Sequence, residues 1–576
     1  MLTMLKLLRF RLAAGNWHYI LLITSMLNTK KPKRRLSWLL AGIGILVIAV
    51  IGWQFYKYRI VNRKVGEAVD EKSKGLYSIK YEGLRIDEVS GALHVKNIEI
   101  IPDTTVYNRM ISEKTNPPVL LRLTIPALDI TGVKTPKALL SKQIVGGIVL
   151  VSDPTIEIEL NQFSRDSTVY NPGKDVYKEL LGKFLKIQMD SVEVVRAKVI
   201  VRNRGSREIA FRCDNVSFLL TDLLIDSMSN KDNSRILFAR NLDMACDEIA
   251  LPSRNKKYRL RVEKVRFTGR DNSFYIGRIR LAPQLSEAEF AASFPVQKDR
   301  YDLTMEGISL RHIDRGAFWR KRIEGDSLII ARSSFKIFRD LSYPPDTVSK
   351  VGKFPQQLLM RLPIPVDINK TVFVHSFIEY KEKNARSDSS GKVQFFDVHA
   401  TISHVTNMRE AIAQDNKCVV LFRAKFLDKA PVDARVVLLL KDPRGRFSIE
   451  GNVGAIDTRS LNVLTQPMGL ARMEKGRIDH LHFNFTGTDS SSGGKLEMLY
   501  SDLKISLLKK DKDENKYDKK GLASLAANII LKKSNPGKNE KARVADVHFN
   551  RILYKSFFNL IWKTIFTGMK ETVGAK

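Results

Sequence analysis

The sequence predicts a mainly β protein. Its expected architecture is an elongated antiparallel sheet, with one N-terminal transmembrane helix and a C-terminal amphipathic helix. Three observations predict it. Period-two alternation of apolar and polar residues dominates once the first ~56 residues are passed. One unbroken apolar stretch, Leu36 to Trp53, stands near the start, and the final segment returns to a helical period.

The apolar stretch LSWLLAGIGILVIAVIGW carries no charge, and at ~1.5 Å per residue it gives about 27 Å of helix, close to a bilayer's hydrocarbon thickness. Trp38 near one end and Trp53, Phe55 and Tyr56 at the other supply the rings that settle at membrane interfaces. Lys30, Lys31, Lys33, Arg34 and Arg35 directly precede it and should hold the N-terminus in the cytoplasm. A cleaved signal peptide fits poorly, because bulky Trp53, Phe55, Tyr56 and Tyr58 follow where small residues are needed. The earlier stretch Trp17 to Leu27 is too short to span, and Met26 would open a conventional short tail. The expected order is therefore a cytoplasmic tail (1–35), a transmembrane helix (36–56), a β-groove (57–508), charged loops and closing segments (509–550), and the C-terminal helix (551–576).

Composition narrows the partners. Of 576 residues, 44% are apolar and 27% charged, which suits a folded chain, and the formal net charge is +34. A basic surface suits nucleic acid or anionic lipid. The anchor and the absence of zinc-finger, RNA-binding or leucine-zipper patterns argue against nucleic acid. Cys213, Cys246 and Cys418 are sparse and odd in number, so they read as small buried hydrophobes, with a Cys213–Cys246 bridge left open.

The strands read as follows. Ile156, Ile158 and Leu160 alternate with Glu157, Glu159 and Asn161; Val195, Ala197, Val199 and Val201 alternate with Arg196, Lys198 and Arg202, Ile200 being the exception. Tyr258, Leu260 and Val262 repeat the pattern, as do Leu481, Phe483 and Phe485, then Leu503, Ile505 and Leu507. One apolar face and one wet face imply antiparallel pairing. The apolar members Ile156, Ile158, Leu160, Val199, Val201, Leu260, Val262, Leu481, Phe483 and Phe485 are the candidate groove lining. Loops are expected at Lys381–Gly391, Asp489–Gly494, Lys509–Gly521 and Lys532–Arg543, with Thr486–Gly494 as a long hairpin loop. A weak repeat lays Asp190–Val201 over Asp326–Ile337, with a shorter relative at Thr371–Val374 and Ile378–Tyr380, as two strands joined at a bend would.

In the last segment, Tyr554, Phe557, Phe558, Ile561, Trp562, Ile565, Phe566 and Met569 share one broad helical face. Aromatic bulk beside lysines makes Phe557, Phe558 and Trp562, with Trp38 and Trp53, the candidate membrane contacts. A helix capping the end of the sheet explains the same pattern equally well.

Catalytic chemistry has no foothold. The chain lacks a phosphate-binding P-loop, a His-Glu-x-x-His helix and a Gly-x-Ser-x-Gly elbow. His480 and His482 read as an exposed strand face, and His399 and His404 lack a carboxylate or Cys companion at ligand spacing. The expectation is no enzyme, no cofactor and no metal.

Ile130-Thr131-Gly132-Val133, Leu139-Leu140-Ser141-Lys142-Gln143-Ile144, Gly147-Ile148-Val149-Leu150 and Pro154-Thr155-Ile156-Glu157-Ile158 carry a resemblance. Together they are similar to the AsmA-like family of Gram-negative envelope proteins: a strand ending in a Gly turn, a Leu-Leu-x-Lys helix, a strand, and a Pro-led strand. Gly476–Phe485, Gly493–Tyr500 and Asp502-Leu503-Lys504 resemble the C-terminal part of such proteins. The resemblance covers roughly half the chain, and its motifs are degenerate. It implies an inner-membrane protein whose mainly β periplasmic part is an elongated, highly curved antiparallel sheet forming a hydrophobic groove for phospholipid or another acyl lipid, and taking part in lipid transport or outer-membrane biogenesis. The inner membrane is then one partner, the outer membrane a second candidate, and protein partners are unspecified. The alternative is a non-transporting scaffold for outer-membrane protein assembly. About 35 strands at ~4.8 Å would give a ribbon of ~170 Å.

Overall fold

The computed structural model describes residues 73–574, except 88, 114, 118, 135–141, 161–184, 206, 230–231, 233, 236–237, 254–255, 315–316, 318–321, 386–388, 511–516 and 520–530. The expected tail and transmembrane helix, with Trp38 and Trp53, lie outside the described residues. Among the described residues no helix is long and apolar enough to cross a membrane.

The chain lays down a mainly β ribbon in sequence order. It opens with β1 (Tyr77–Asp87), β2 (Ala92–Pro102), the helix α1 (Thr104–Ser112) and β3 (Val119–Thr131). β4 (Gln143–Val145), β5 (Ile148–Ser152) and β6 (Thr155–Leu160) then run end to end on one line. Next come β7 (Lys186–Asn203), β8 (Ile209–Ile225), β9 (Ala239–Pro252), β10 (Tyr258–Thr268), β11 (Ser273–Pro283), α2 (Glu287–Ala292), β12 (Arg300–Arg311) and β13 (Ile323–Asp340). α3 (Pro355–Leu359), β14 (Val366–Asn384), β15 (Ser389–Thr406), α4 (Arg409–Gln414), β16 (Lys417–Phe426) and β17 (Ala430–Leu439) follow. β18 (Phe447–Val453) and β19 (Ile456–Asp457) share one line, then come α5 (Asn462–Gly469), β20 (Ala471–Gly487), β21 (Ser491–Lys510), β22 (Tyr517–Lys519), β23 (Val544–Asn550) and α6 (Phe557–Thr572). Among the described residues twenty-two strands form one mixed sheet, and β22 pairs there with the end of β21 alone.

With two lines shared, those strands make nineteen rungs, so the ribbon is roughly 86 Å along its hydrogen-bonding direction, about half the expected length. The strands are fewer because they are longer, up to 20 residues in β21. Two steps are parallel, which corrects the all-antiparallel expectation: β4–β6 against β7, and β13 against β14. Both hold an offset of 43 residues, as in Arg196 with Asp153 and Ser333 with Ser376. A parallel strand with one wet face alternates just as an antiparallel one does, so the residues carry no signal of direction. The weak repeat falls on these steps. Asp190–Val201 lies in β7, Asp326–Ile337 in β13, and Thr371–Phe373 beside Leu328–Ile330 in β14, as single long strands rather than joined pairs.

The long strands stay one-sided by means of bulges. In β7 the packed residues are Val192 and Val194, then Ala197, Val199 and Val201; the extra residue falls at Arg196, whose φ is 54°. A bulge adds one residue, so the alternation shifts by one and the same face stays apolar. Left-handed Asp153, Arg196, Asn215, Lys264, Gly307, His375 and Asp397 sit at corresponding levels of neighbouring strands, forming a crease across the ribbon. Glycine is required at Gly307 (φ 60°), where a Cβ would stand 2.9 Å from Ala331 Cβ. β16, β17 and β18 pair without a register shift and contain none of these residues.

Other expectations are corrected locally. Thr486–Gly494 is no long loop: β20 runs to Gly487 and β21 begins at Ser491. At the end of β21, Leu508 is buried and Leu507 only half-buried, so the alternation slips there. The short helices α1 to α5 interrupt what was read as almost continuous β. α1 is started by Asp103, whose carboxylate accepts from the amides of Thr105 and Val106, and α2 by the Ser286/Glu289 capping box. All three cysteines are buried and free; Cys213 and Cys246 lie on neighbouring strands without a bridge.

Candidate apolar groove and its charged borders

The apolar faces of the strands merge. One cluster of mutually packed buried side chains extends from Leu93 in β2 through β21 and β23 to Val573 after α6. A second cluster around Ile158, Val201, Phe211, Cys213, Cys246, Leu251 and Val265 occupies β6 to β10, mostly toward the Asn203 end of β7. The predicted lining divides between them. Leu481, Phe483 and Phe485 belong to the first, and Phe483 stacks on Phe485 at 5.4 Å. Ile158 and Val201 belong to the second, with Val199 and Val262 packed against it. Ile156 and Leu260 touch both, and nothing is described of the Leu160 side chain.

These residues share a face, but they do not border an open trough: most are in contact with one another and shielded from water. Two described cavities lie elsewhere. One of about 710 Å³ is bordered by Lys417, Arg435, Val437, Ser448, Thr486 and His548, among others, and a neighbour of about 440 Å³ shares Leu439 and Arg446 with it. None of the predicted lining residues borders either.

The wet face is charged, and at the crease it is paired. Arg196 donates from Nε and Nη2 to the two carboxylate oxygens of Asp153, at 2.6 and 2.7 Å. Asn215 donates to Asp247 at 2.5 Å, and Glu306 sits between Arg278 (3.1 Å) and Arg332 (3.7 Å). His375 Nδ1 and His399 Nε2 both approach Asp397 Oδ1, at 2.9 and 3.1 Å. The expectation that His399 lacks a carboxylate companion is corrected: Asp397, two residues earlier on β15, is its partner, and β14 adds His375 on the same oxygen. The Arg196 guanidinium holds the Asp153 carboxyl below its usual range, and the two imidazoles do the same for Asp397.

A buried knot of charge closes the ends of β12 to β14. Arg339 (11% exposed) donates to Asp299 (12%), which also accepts from the Tyr301 hydroxyl at 3.1 Å. Tyr380 donates to Glu382 at 2.7 Å. Burial, with those carboxylates second, pushes both phenols well above their usual range, and burial with Arg339 lowers the Lys555 ammonium. Burial also raises the Cys418 thiol to about 12.

The cap is α6. Its N-cap Ser556 accepts from the Asn559 amide, and Phe557, Leu560, Thr564 and Gly568 face the sheet. Phe557 is 5% exposed and meets Phe354 and Phe447 edge-on at 4.8 and 4.9 Å, so it is core rather than a membrane contact. Adjacent side chains on a helix point ~100° apart, whereas those three and four apart share a face, so Phe557 and Phe558 part company against the sheet. Phe558 (57% exposed) and Phe566 (44%) point outward, with half-buried Trp562 between them. Leu553, Val348 and Val351 are exposed nearby, joined by the Lys350 amide donating to the Leu553 carbonyl at 2.7 Å. Lys563 lies 5.7 Å from the Phe566 ring centre.

No protein-family model matches the chain, and no curated protein matches it.

Proposed function

We propose that the chain is a membrane-anchored envelope protein, similar to the AsmA-like group, that handles phospholipid or another acyl lipid along the apolar face of its sheet. The observation that carries this reading is the continuity of that face, from Leu93 to Val573 within one packed cluster. An ordinary β-domain closes its core between two sheets; here one ribbon of consecutive strands puts its apolar residues on one side. An acyl chain laid against such a face gains ~0.8 kcal/mol per methylene removed from water. Because the middle of the face is filled by side chains, the chain's entry points are half-buried residues such as Ile276, Ile279, Ile378 and Val420. The stretch Leu36–Trp53 supports placement in the inner membrane with the sheet in the periplasm, and the outward aromatics of α6 support contact with a second lipid surface.

The test is photocrosslinking of the full chain in membranes with a phospholipid bearing an acyl diazirine. Labelling at Ile276 and Ile378 on the packed face is the expected result. Labelling confined to wet-face positions such as Leu421, or to none, removes the lipid reading. A non-transporting scaffold for outer-membrane protein assembly is favoured by the close packing of the same face. In that case lipid leaves no mark inside, and crosslinks run to proteins instead.

A further inference from the structure

We propose that His375, Asp397 and His399 form a binding site for a first-row divalent transition ion of the zinc class, on the wet face where the crease crosses β14 and β15. Three ligand atoms, one from each residue, lie within 4.8 Å of one another. The two imidazole nitrogens stand 2.9 and 3.1 Å from one carboxylate oxygen, and the rings meet edge-on at 4.9 Å. In a tetrahedral site with metal–ligand distances near 2.1 Å, neighbouring ligand atoms are ~3.4 Å apart, so each imidazole shifts by a few tenths of an ångström from the carboxylate, and the two imidazoles close on one another from within 4.8 Å, to admit an ion. Two imidazoles and one carboxylate form a borderline donor set that suits zinc rather than calcium or magnesium, and the exposed side leaves room for water as a further ligand.

The backbone sharpens the argument. His375 and Asp397 both have φ of 47°, a conformation that glycine and asparagine accept most readily. Elsewhere on the crease Gly307 and Asn215 fill the role, beside Asp153, Arg196 and Lys264, and none of these positions brings two imidazoles to one carboxylate. At β14 and β15 the same geometry turns an imidazole and a carboxylate toward His399. An ion there ties β14 to β15 where their ladder is interrupted between Phe373 and Ser376. The surrounding charges are mixed. Arg332 stands next to His375 on β13 but is engaged with Glu306, whereas Arg423 opposes His399 on β16 and weakens cation binding. His94 with Asp129 and His312 with Asp326 offer only one imidazole each, which makes them internal controls.

The experiment is calorimetric titration of the metal-stripped full chain in detergent with Zn²⁺, repeated with Co²⁺ for its visible absorption. The expected result is one tight equivalent, which His375→Ala plus His399→Ala weakens at least roughly tenfold, as loss of even outer-shell partners does. His94→Ala should leave that equivalent unchanged. Arg423→Glu should tighten it, a gain that misfolding cannot imitate. Equal binding by the wild type and the His375→Ala/His399→Ala chain overturns the proposal, and so does Arg423→Glu without effect.

Discussion

β7 to β15 and β16 to β18 solve the same problem differently. The first group uses strands of up to 19 residues, and residues in left-handed conformation recur along it. The second uses strands of 7 to 10 residues with no interruption. A right-twisting strand cannot keep one face inward over many residues without a correction, and a bulge provides it by bending the strand and resetting the alternation. Short strands need none. The crease is therefore a consequence of strand length, and the polar pairs on it, Asp153–Arg196 through His375–Asp397–His399, occupy the outside of each bend.

The largest effect should come from removing a bulge. Deleting Asn215 forces Phe211 and Cys213 to exchange faces with the polar residues between them, at a cost of at least about 4 kcal/mol from lost burial. A denaturant midpoint for the full chain measures it. An unchanged midpoint would show that the crease does not set the register. Next comes the uncreased block, whose core rests on aromatic contact instead. Phe354→Ala, which strips the edge-on contacts to Phe447 and Phe557, should cost about 3–5 kcal/mol.

These two regions also explain what was legible in the residues. The β class, the one-sided strands at Leu481–Phe485 and the final helix follow from local period, which is visible in any short window. The pairing direction of β13 with β14 does not, since it depends on where a connection crosses. The bulges were missed because one extra residue looks like an error in the pattern. The Val194-Val195 doublet was the visible trace: the alternation ran through Val195, but Val194 is the residue in the core and the register shifts before Ala197. In the His375–Asp397–His399 group, Asp397 and His399 stand two apart in the sequence and were legible, whereas His375 joins them only through the pairing of β14 with β15. Phe557 and Phe558 were indistinguishable by period alone, and only the sheet behind α6 separates them.

Glycine tests the comparison at smaller scale. Gly307→Val places a branched side chain at φ 60° against Ala331 and should cost about 1–3 kcal/mol. Gly469→Ala, outside the crease with nothing within 4 Å of the new methyl, should change stability by less than about 0.5 kcal/mol. Acid should act on the crease as well. Asp153 and Asp397 have folded pKa values below those of the unfolded chain, so their stabilisation is present above the unfolded value near ~4 and is lost as pH falls through the folded values. Protection against hydrogen exchange at β14–β15, relative to the intrinsic rate at each pH, should therefore fall below about pH 4 before that of β16–β17 does.

The smallest expected change in stability belongs to the outer face of α6, and there it separates two roles. Phe558→Ser with Phe566→Ser removes exposed rings that touch solvent rather than the sheet, so the unfolding midpoint should move by no more than about 0.5 kcal/mol. Leu560 on the opposite face is fully buried, and Leu560→Ala should cost about 2–5 kcal/mol. If the outward rings serve a lipid surface, the double substitution should reduce the chain's ability to draw a second population of anionic vesicles onto vesicles that already hold its N-terminal segment. The lysines beside them, Lys563 among them, should make that bridging salt-sensitive. A double variant that bridges as well as the wild type would leave α6 as the sheet's end cap alone. The continuous apolar face would then reach membranes only through the N-terminal segment.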